Sequence, residues 1–324
     1  MQMKIRKRSR PDATQGPPCP LCFAESRHRF GVRGRSIFEC QSCGFALLSP
    51  SLDREELLKL YQSADYHSSW MTSGDAASDG SELRYFTSLR RRMAMRLRFL
   101  VGGSGSVLEV GCGSGEFLNH CREAGLSPVG LEVSEPAADL CRSRYGLPVI
   151  VGAFSSDSVL AETFDAVVMH QFIEHVPDPG PILRDAFRAL RPEGIVLLTT
   201  PHFNGVSTLL FGSDNYTLDP NIGHCSWFSK RSLRQALEHT GFNVIELWTD
   251  QLFGGNFVDA VFRFLRVERG FESTASYQSP RRCVQDTAVG TFMFGLSDRI
   301  LNLLSLGDQL GAFARKPGPS RSAL

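Results

Sequence analysis

The chain of 324 residues has no run of about 18 apolar residues, so no transmembrane helix is expected. It has no surplus of charge of either sign: 35 Lys and Arg stand against 34 Asp and Glu, a net charge of +1. A dominant electrostatic footprint for nucleic acid is therefore not expected, while a local basic patch stays open. The basic start, with Lys4, Arg6, Lys7, Arg8 and Arg10, lacks an apolar segment behind it. It does not read as a secretory signal but as a solvated, disordered tail over residues 1–15. With 42% hydrophobic residues, wholesale disorder is excluded, and the length suggests about two domains.

The nine cysteines do not make a disulfide framework: their number is odd, and four fall in two tight pairs. That pattern suits a reducing compartment, hence a cytoplasmic location, and metal binding. Cys19-Pro-Leu-Cys22 and Cys40-Gln-Ser-Cys43-Gly44 are separated by seventeen residues. Two thiolates from each tight turn can face one cation, and two such turns complete a tetrahedron. Phe30, Val32, Ile37 and Phe38 around Gly31 and Gly34 read as a short hairpin between them. Residues 16–50 are thus expected to form a zinc ribbon, with Cys19, Cys22, Cys40 and Cys43 filling every coordination position, so that the metal is structural.

Residues 51–103 read as a helical linker. Asp53 to Tyr61 is expected as a helix. A Ser- and Gly-rich stretch with Tyr66, His67 and Trp70 follows, either a lid over a ligand or a staple to the next domain. Leu83, Phe86, Leu89, Met93, Leu97 and Leu100 then recur at helical spacing.

The chemistry begins at Val107-Leu108-Glu109-Val110, a short apolar strand running into Gly111-Cys112-Gly113-Ser114-Gly115. A helix to Ala124 and a second strand, Pro128 to Glu132, complete a βαβ unit. A dinucleotide turn needs G-x-G-x-x-G, so that pyrophosphate can sit on the helix N-terminus. Here the third glycine comes one residue early, and Glu116 stands where that glycine would be. The turn still admits a ligand close to the backbone. Glu132, 21 residues after Gly111, can accept bonds from both hydroxyls of a ribose. The ligand inferred from these residues has a nucleoside and needs no phosphate cradle.

At these residues the chain resembles the class I S-adenosylmethionine-dependent methyltransferases, and the resemblance continues in order. Phe164 to Met169 resembles the fourth strand, and His170 to Pro179 the loop after it. Leu190-Arg191-Pro192-Glu193-Gly194, then Ile195 to Thr200, is similar to the family's helix-turn-strand. Thr200-Pro201-His202 resembles the end of that strand. His224-Cys225-Ser226-Trp227-Phe228-Ser229 with Leu233 resembles a stretch of one bacterial branch, whose sugar C-methyltransferases also carry an N-terminal zinc module. Gly241-Phe242 would open the sixth strand and Leu310 to Ala314 would return antiparallel as the seventh.

The resemblance implies an α/β fold: a Rossmann-like, seven-stranded doubly wound sheet over residues 104–250 plus 306–316, with a helical insert over 251–305 and a tail over 317–324. It implies S-adenosylmethionine as cofactor and a small-molecule acceptor, among them a sugar, a glycan or a lipid-linked intermediate. The cofactor-binding set it implies is Glu109, Gly111, Gly113, Gly115, Glu132, Val133, Ala153, Phe154, His170 and Gln171. The family's acidic adenine contact after the third strand is missing: Gly152-Ala153-Phe154 stands there, leaving Phe154 to stack or Asp157 to reach in.

Methyl transfer to a hydroxyl or carbon acid needs a base, and histidine suits that near neutral pH. His170, His175, His202 and His224 are all expected at carboxyl ends of strands. His170 and Gln171 more readily line the methionine pocket. His224, with His175, is the expected catalytic contact. The stripes Val258, Val261, Phe262, Leu265 and Ile300, Leu301, Leu303, Leu304 of the insert read as core, as a homodimer face, or as a cap for an apolar acceptor contacted at a membrane surface. Two alternatives stand beside the leading reading. One is a ribosomal RNA methyltransferase with a zinc module, against which the near-neutral charge and the absence of an Asn-Pro-Pro-Tyr motif weigh. The other is a non-catalytic zinc-ribbon interaction protein, against which the intact Gly111, Gly113, Gly115 and Glu132 weigh.

Overall fold

The structure, a computed structural model, describes residues 15–63, 81–155, 158–250 and 299–319. The expected segments around Tyr66, His67 and Trp70, Asp157, and most of the insert lie outside the described residues.

Alternating inward residues build the main sheet. Its strands are β4 (Ser106–Val110), β5 (Ser127–Glu132), β6 (Val149–Val151), β7 (Phe164–His170), β8 (Leu190–Pro201), β10 (Asn243–Asp250) and β11 (Gln309–Arg315). The order is β10-β11-β8-β7-β4-β5-β6. All neighbours are parallel except β10 with β11 and β11 with β8. The chain runs outward from β4 through β5 to β6, then returns to the other side of β4 at β7. The crevice between β4 and β7 is therefore the topological switch point, where such sheets bind ligands. This is the seven-stranded doubly wound sheet expected, with the antiparallel last strand where Leu310 to Ala314 placed it.

Period-2 alternation divides the core between the two faces. Val107, Ala166, Val168, Ile195 and Leu197 pack on one face with Leu89, Met93 and Leu97 of α2 (Ser81–Leu100) and with Phe117 and Cys121 of α3 (Glu116–Glu123). Leu108, Val110, Val167, Met169, Val196 and Leu198 pack on the other face. Their partners there are Leu183 and Ala186 of α5 (Pro179–Ala189) and Leu233 and Leu237 of α7 (Lys230–Thr240). Helix α4 (Glu135–Tyr145) follows β5 and sets Cys141 against Leu118. The helix-turn expected over Leu190–Gly194 is strand instead: Leu190 pairs with Phe164, and Glu193, at φ +67°, donates its N–H to the Lys316 carbonyl at 3.0 Å. The irregular register there absorbs the Pro192-Glu193-Gly194 turn inside one long strand.

The ribbon is a second sheet of β1 (Ser26–Val32), β2 (Arg35–Cys40) and β3 (Ala46–Ser49), the first two forming the expected hairpin. Its fourth strand, β9 (Ser226–Trp227), comes from far along the chain: Ala46 pairs with Trp227 and Leu47 with Ser226. Phe45 meets Phe228 edge-on at 5.0 Å, and both belong to the core of the main sheet. Helix α1 (Arg54–Gln62) follows, closed by a capping box in which Asp53 accepts from the Glu56 N–H at 2.8 Å and Glu56 from the Asp53 N–H at 2.9 Å. A short helix α6 (Val206–Phe211) and three 3-10 turns lead to β9. No described helix is long and apolar enough to cross a membrane.

Candidate functional site

The turn after β4 is built on left-handed backbone, with φ of +69° at Gly111, +51° at Gly113 and +83° at Gly115. A Cβ at Gly111 would lie 2.6 Å from the Phe172 ring, and one at Gly115 2.2 Å from Cys141 Sγ. At Gly113 it would meet nothing within 4 Å. Two of the glycines are therefore demanded by packing, and the third leaves an open cradle beside the backbone. Glu132 closes this turn from the tip of β5. It is 8% exposed, and its two carboxylate oxygens accept from the N–H groups of Gly113 and Ser134, each at 2.9 Å. Each oxygen keeps a further lone pair. Held so, the carboxylate fits the vicinal hydroxyls of a ribose lying over Gly113.

The other expected cofactor contacts lie in β4 or at, or just after, the ends of β5, β6 and β7. Glu109 is buried in β4, with burial holding its carboxyl well above the usual range. Val133 and Ala153 are exposed beside the tip of β5. Phe154 is buried and packs into the main core. His170 stacks on Phe117 at 5.2 Å, and its Nδ1 meets Thr199 Oγ1 at 2.7 Å. Burial, with Arg90 adding to it, pushes that imidazole down to about 3. Gln171, at φ +53°, donates its N–H to the Thr199 carbonyl at 3.0 Å. These two residues flank the crevice from the β7 side, as Gly111 to Gly115 do from the β4 side.

The 3-10 turn Ile173–His175 directly after β7 brings together residues that the sequence keeps apart. Glu174, His175 and His224 each offer one ligand atom within 4.8 Å of the others. His175 Nδ1 lies 3.1 Å from the Gly223 carbonyl, and His224 Nδ1 lies 2.8 Å from the Thr217 carbonyl. A carbonyl only accepts, so both rings carry their proton on Nδ1 and a lone pair on Nε2. The rings stand edge-on, 4.9 Å apart, and Tyr61 of α1 stands 5.8 Å from His175. Burial pushes His175 to about 3 and His224 to about 4, so both are neutral bases at neutral pH. Glu174 is wholly buried, and burial raises its carboxyl to about 8. Neither of its side-chain oxygens has a hydrogen-bond partner, although the Thr200 hydroxyl is close. Sequence reasoning singled out both histidines but passed over Glu174. The signal available was a carboxylate inside the apolar stretch Phe172-Ile173-Glu174. His202, the fourth histidine, is buried apart from this group, with Nδ1 at 2.9 Å from the Gly307 carbonyl.

The four ribbon sulfurs converge as expected. Cys19 and Cys43 Sγ lie 3.6 Å apart, Cys22 and Cys40 Sγ 3.4 Å apart, and all four lie within 4.8 Å of one another. A tetrahedral ion with Zn–S bonds of about 2.3 Å needs S···S edges of about 3.8 Å, so the donor set fits zinc. The Cys43 N–H donates to Cys40 Sγ at 3.4 Å, a bond that favours the thiolate. Ser229, at the N-terminus of α7, donates its hydroxyl to the Cys43 carbonyl at 3.3 Å and so ties the knuckle to the main domain.

Residues 85–247 match the family described as a methyltransferase domain. A ubiquinone biosynthesis O-methyltransferase of Ralstonia nicotianae is 32% identical over 110 residues, which is 32% of this chain and 46% of that protein. One of Pseudomonas putida strain GB-1 is 28% identical over 166 residues, 49% of this chain and 68% of that protein. The chain thus spans about half the length of the first of these relatives. Among solved structures, a SAM-dependent methyltransferase from Archaeoglobus fulgidus is similar over 71% of this chain and 94% of its own, at 19% identity and a TM-score of 0.48.

Proposed function

Because the chain belongs to the methyltransferase domain family, we propose that it is an enzyme that moves a methyl group from S-adenosylmethionine to a small-molecule acceptor. The observation that carries this reading is the union of Glu132 with the glycine turn through the Gly113 N–H. It makes a nucleoside seat at the switch point, without a phosphate cradle. The cofactor supplies an activated methyl on a sulfonium. The protein then needs only to align the acceptor and exclude water.

Glu132 would hold the ribose. Gly111, Gly113 and Gly115 would let the cofactor lie against the backbone. Val133, Ala153 and Phe154 are proposed at the adenine edge, and Glu109, His170 and Gln171 at the methionine end. The acceptor is placed beside His224 and His175. Phe172 joins that side to the cofactor turn, since its ring lies against Gly111. As the new bond forms, the acceptor's O–H, N–H or C–H proton must leave. Two neutral imidazoles with free Nε2 lone pairs can accept a hydrogen bond from that group and orient it toward the methyl donor. The O-methyltransferase relatives favour a hydroxyl acceptor; a sugar, a glycan or a lipid-linked intermediate carries such a group. The ribbon metal is assigned a structural part, and the free cysteines suit a reducing, cytoplasmic setting.

The test is calorimetric titration of zinc-loaded protein with S-adenosylhomocysteine, the reaction product, followed by an acceptor screen. Binding in the micromolar range is expected, and His224→Ala should lower turnover with little change in product affinity. A well-folded protein that binds no product would sink this reading.

A further inference from the structure

We infer that Glu174, His175 and His224 form a second metal site, separate from the ribbon, which takes one divalent cation with nitrogen and oxygen ligands. The inference rests on the reading above for the position of the acceptor. It gives the two histidines a more specific part.

Three observations carry it. The first is the gap between the groups. Their ligand atoms all lie within 4.8 Å, yet no hydrogen bond joins any two of the three. A tetrahedral ion with ligand bonds of about 2.1 Å separates its ligand atoms by about 3.4 Å, so a small contraction closes the group on a centre. The second is Glu174, wholly buried with both carboxylate oxygens lacking a hydrogen bond. Buried carboxylates are as a rule paired, bonded or metal-bound, and no cationic side chain is bonded to this one. The third is the tether on each ring. His175 gives its Nδ1 proton to the Gly223 carbonyl and His224 gives its own to the Thr217 carbonyl. Metal-ligating histidines are oriented in this manner, with the remote nitrogen donating to a carbonyl and the other kept free for the ion. The Thr217 carbonyl is itself fixed by a second donor, Trp227 Nε1, at 2.7 Å. The His224 ring is thus held by a wholly buried strand.

Two imidazole nitrogens and one carboxylate leave coordination positions open, unlike the closed set of four sulfurs in the ribbon. An acceptor oxygen can fill one of them. Bound there, its O–H proton passes to solvent water, since the cation stabilises the resulting oxyanion. The oxygen lone pair then forms the bond to the methyl carbon as the carbon–sulfur bond breaks and its electron pair stays on sulfur. The acceptor class this selects has a hydroxyl, phenolic or sugar, able to reach the ion. Carboxylate and imidazole suit manganese, iron(II) or zinc, and hard Mn²⁺ does not compete for the four thiolates, so it is a selective probe.

The experiment uses the full chain with its ribbon zinc retained, checked at one zinc per chain by elemental analysis. Mn²⁺ is added, and the free ion is followed by its electron paramagnetic resonance signal. One Mn²⁺ per chain is expected, with at least tenfold weaker binding in both Glu174→Gln and His224→Asn while zinc content stays at one. Wild-type protein that takes up no Mn²⁺ at millimolar concentration overturns the inference, and so does uptake unchanged in a folded Glu174→Gln. If either variant fails to fold, the wild-type stoichiometry and a rise of wild-type Tm with Mn²⁺ decide the matter. The same samples are titrated with S-adenosylhomocysteine. Product binding without Mn²⁺ binding removes the metal site alone, whereas no product binding removes the methyl-transfer reading whatever Mn²⁺ does.

Discussion

Glu132 gives the sharpest test of the cofactor seat, because its two oxygens serve the fold and the ligand together. They take the N–H groups of Gly113 and Ser134, each at 2.9 Å. Hydrogen bonds to a charged group contribute about 1.5–3 kcal/mol each. Glu132→Ala removes both, takes this acceptor from the Gly113 and Ser134 N–H groups, and frees a glycine turn that adopts left-handed backbone at three positions. It also removes the ribose contacts. Losing ligand contacts worth about 2.7 kcal/mol corresponds to roughly 100-fold weaker binding. Glu132→Gln keeps one acceptor oxygen but turns an NH₂ toward the other backbone donor, so a loss of roughly 10-fold is expected. The assay is calorimetric titration with S-adenosylhomocysteine, alongside a thermal melt to confirm that each variant is folded. A folded Glu132→Ala protein binding the product within threefold of wild type would refute the ribose assignment, because no other described carboxylate closes this turn.

Three further outcomes are expected. Cys40→Ser should remove the ribbon zinc, seen as the loss of one zinc per chain, and should lower Tm, since metal binding of small ribbons contributes on the order of 10 kcal/mol to their folding; an unchanged Tm would show that the ribbon needs no metal. Gly115→Ala should cost about 1–2 kcal/mol from its φ of +83°, with more from a Cβ 2.2 Å from Cys141 Sγ, and should weaken product binding; a wild-type melt and affinity would contradict the packing described. Asp165 is raised by partial burial, but Arg191 at 2.8 Å and the Ser106 N–H and hydroxyl outweigh this and hold it below the usual carboxylate range. A depressed folded pKa stabilises the fold above the unfolded value and loses that contribution as pH falls through the folded one. Asp165→Asn should therefore be less stable than wild type in denaturant at pH 7, with the difference shrinking toward pH 3; a gap independent of pH would point to packing alone.

What could be read from the sequence was whatever depends on neighbours in the chain. The two C-x-x-C turns, the glycine turn and a carboxylate at the tip of the second strand are local patterns, and each stands where its spacing put it. The Leu310 to Ala314 strand was legible as a short apolar run that the family resemblance assigns as the last, antiparallel strand, and it inserts between β10 and β8. What could not be read is set by tertiary pairing. Nothing near Ser226 and Trp227 says that they complete the sheet of a ribbon some 180 residues earlier, because two residues carry too little pattern to specify a partner. Glu174 looked like one member of a common loop motif. Its meaning comes from burial and from His224, which reaches it only after α6 and three 3-10 turns. The Leu190–Gly194 stretch misled because its turn at Pro192-Glu193-Gly194 is kept within one strand by the pairing of Leu190 with Phe164 and by the Glu193 N–H bond to the Lys316 carbonyl.

The pairing of β9 with β3 changes what the zinc ribbon is for. A module attached by a linker would stabilise only itself. Here the Leu48 N–H donates to the Cys225 carbonyl at 3.0 Å, and the Cys225 N–H donates to the Glu174 carbonyl at 2.9 Å. One residue, Cys225, therefore bridges ribbon backbone and buried cluster, and it adjoins His224. On the other side, Trp227 fills the ribbon-side core with Ile37 and Leu48 while its Nε1 fixes the carbonyl that orients His224. The metal-held knuckle, strand β3 and strand β9 form one continuous support behind that imidazole. The ribbon also contributes Cys19, Cys40, Cys43 and Phe45 to the core on one face of the main sheet. It stands directly behind the proposed acceptor residues, so its physical consequence is to hold His224 and Glu174 in register. That precision matters most for groups that must meet a small acceptor within a fraction of an ångström.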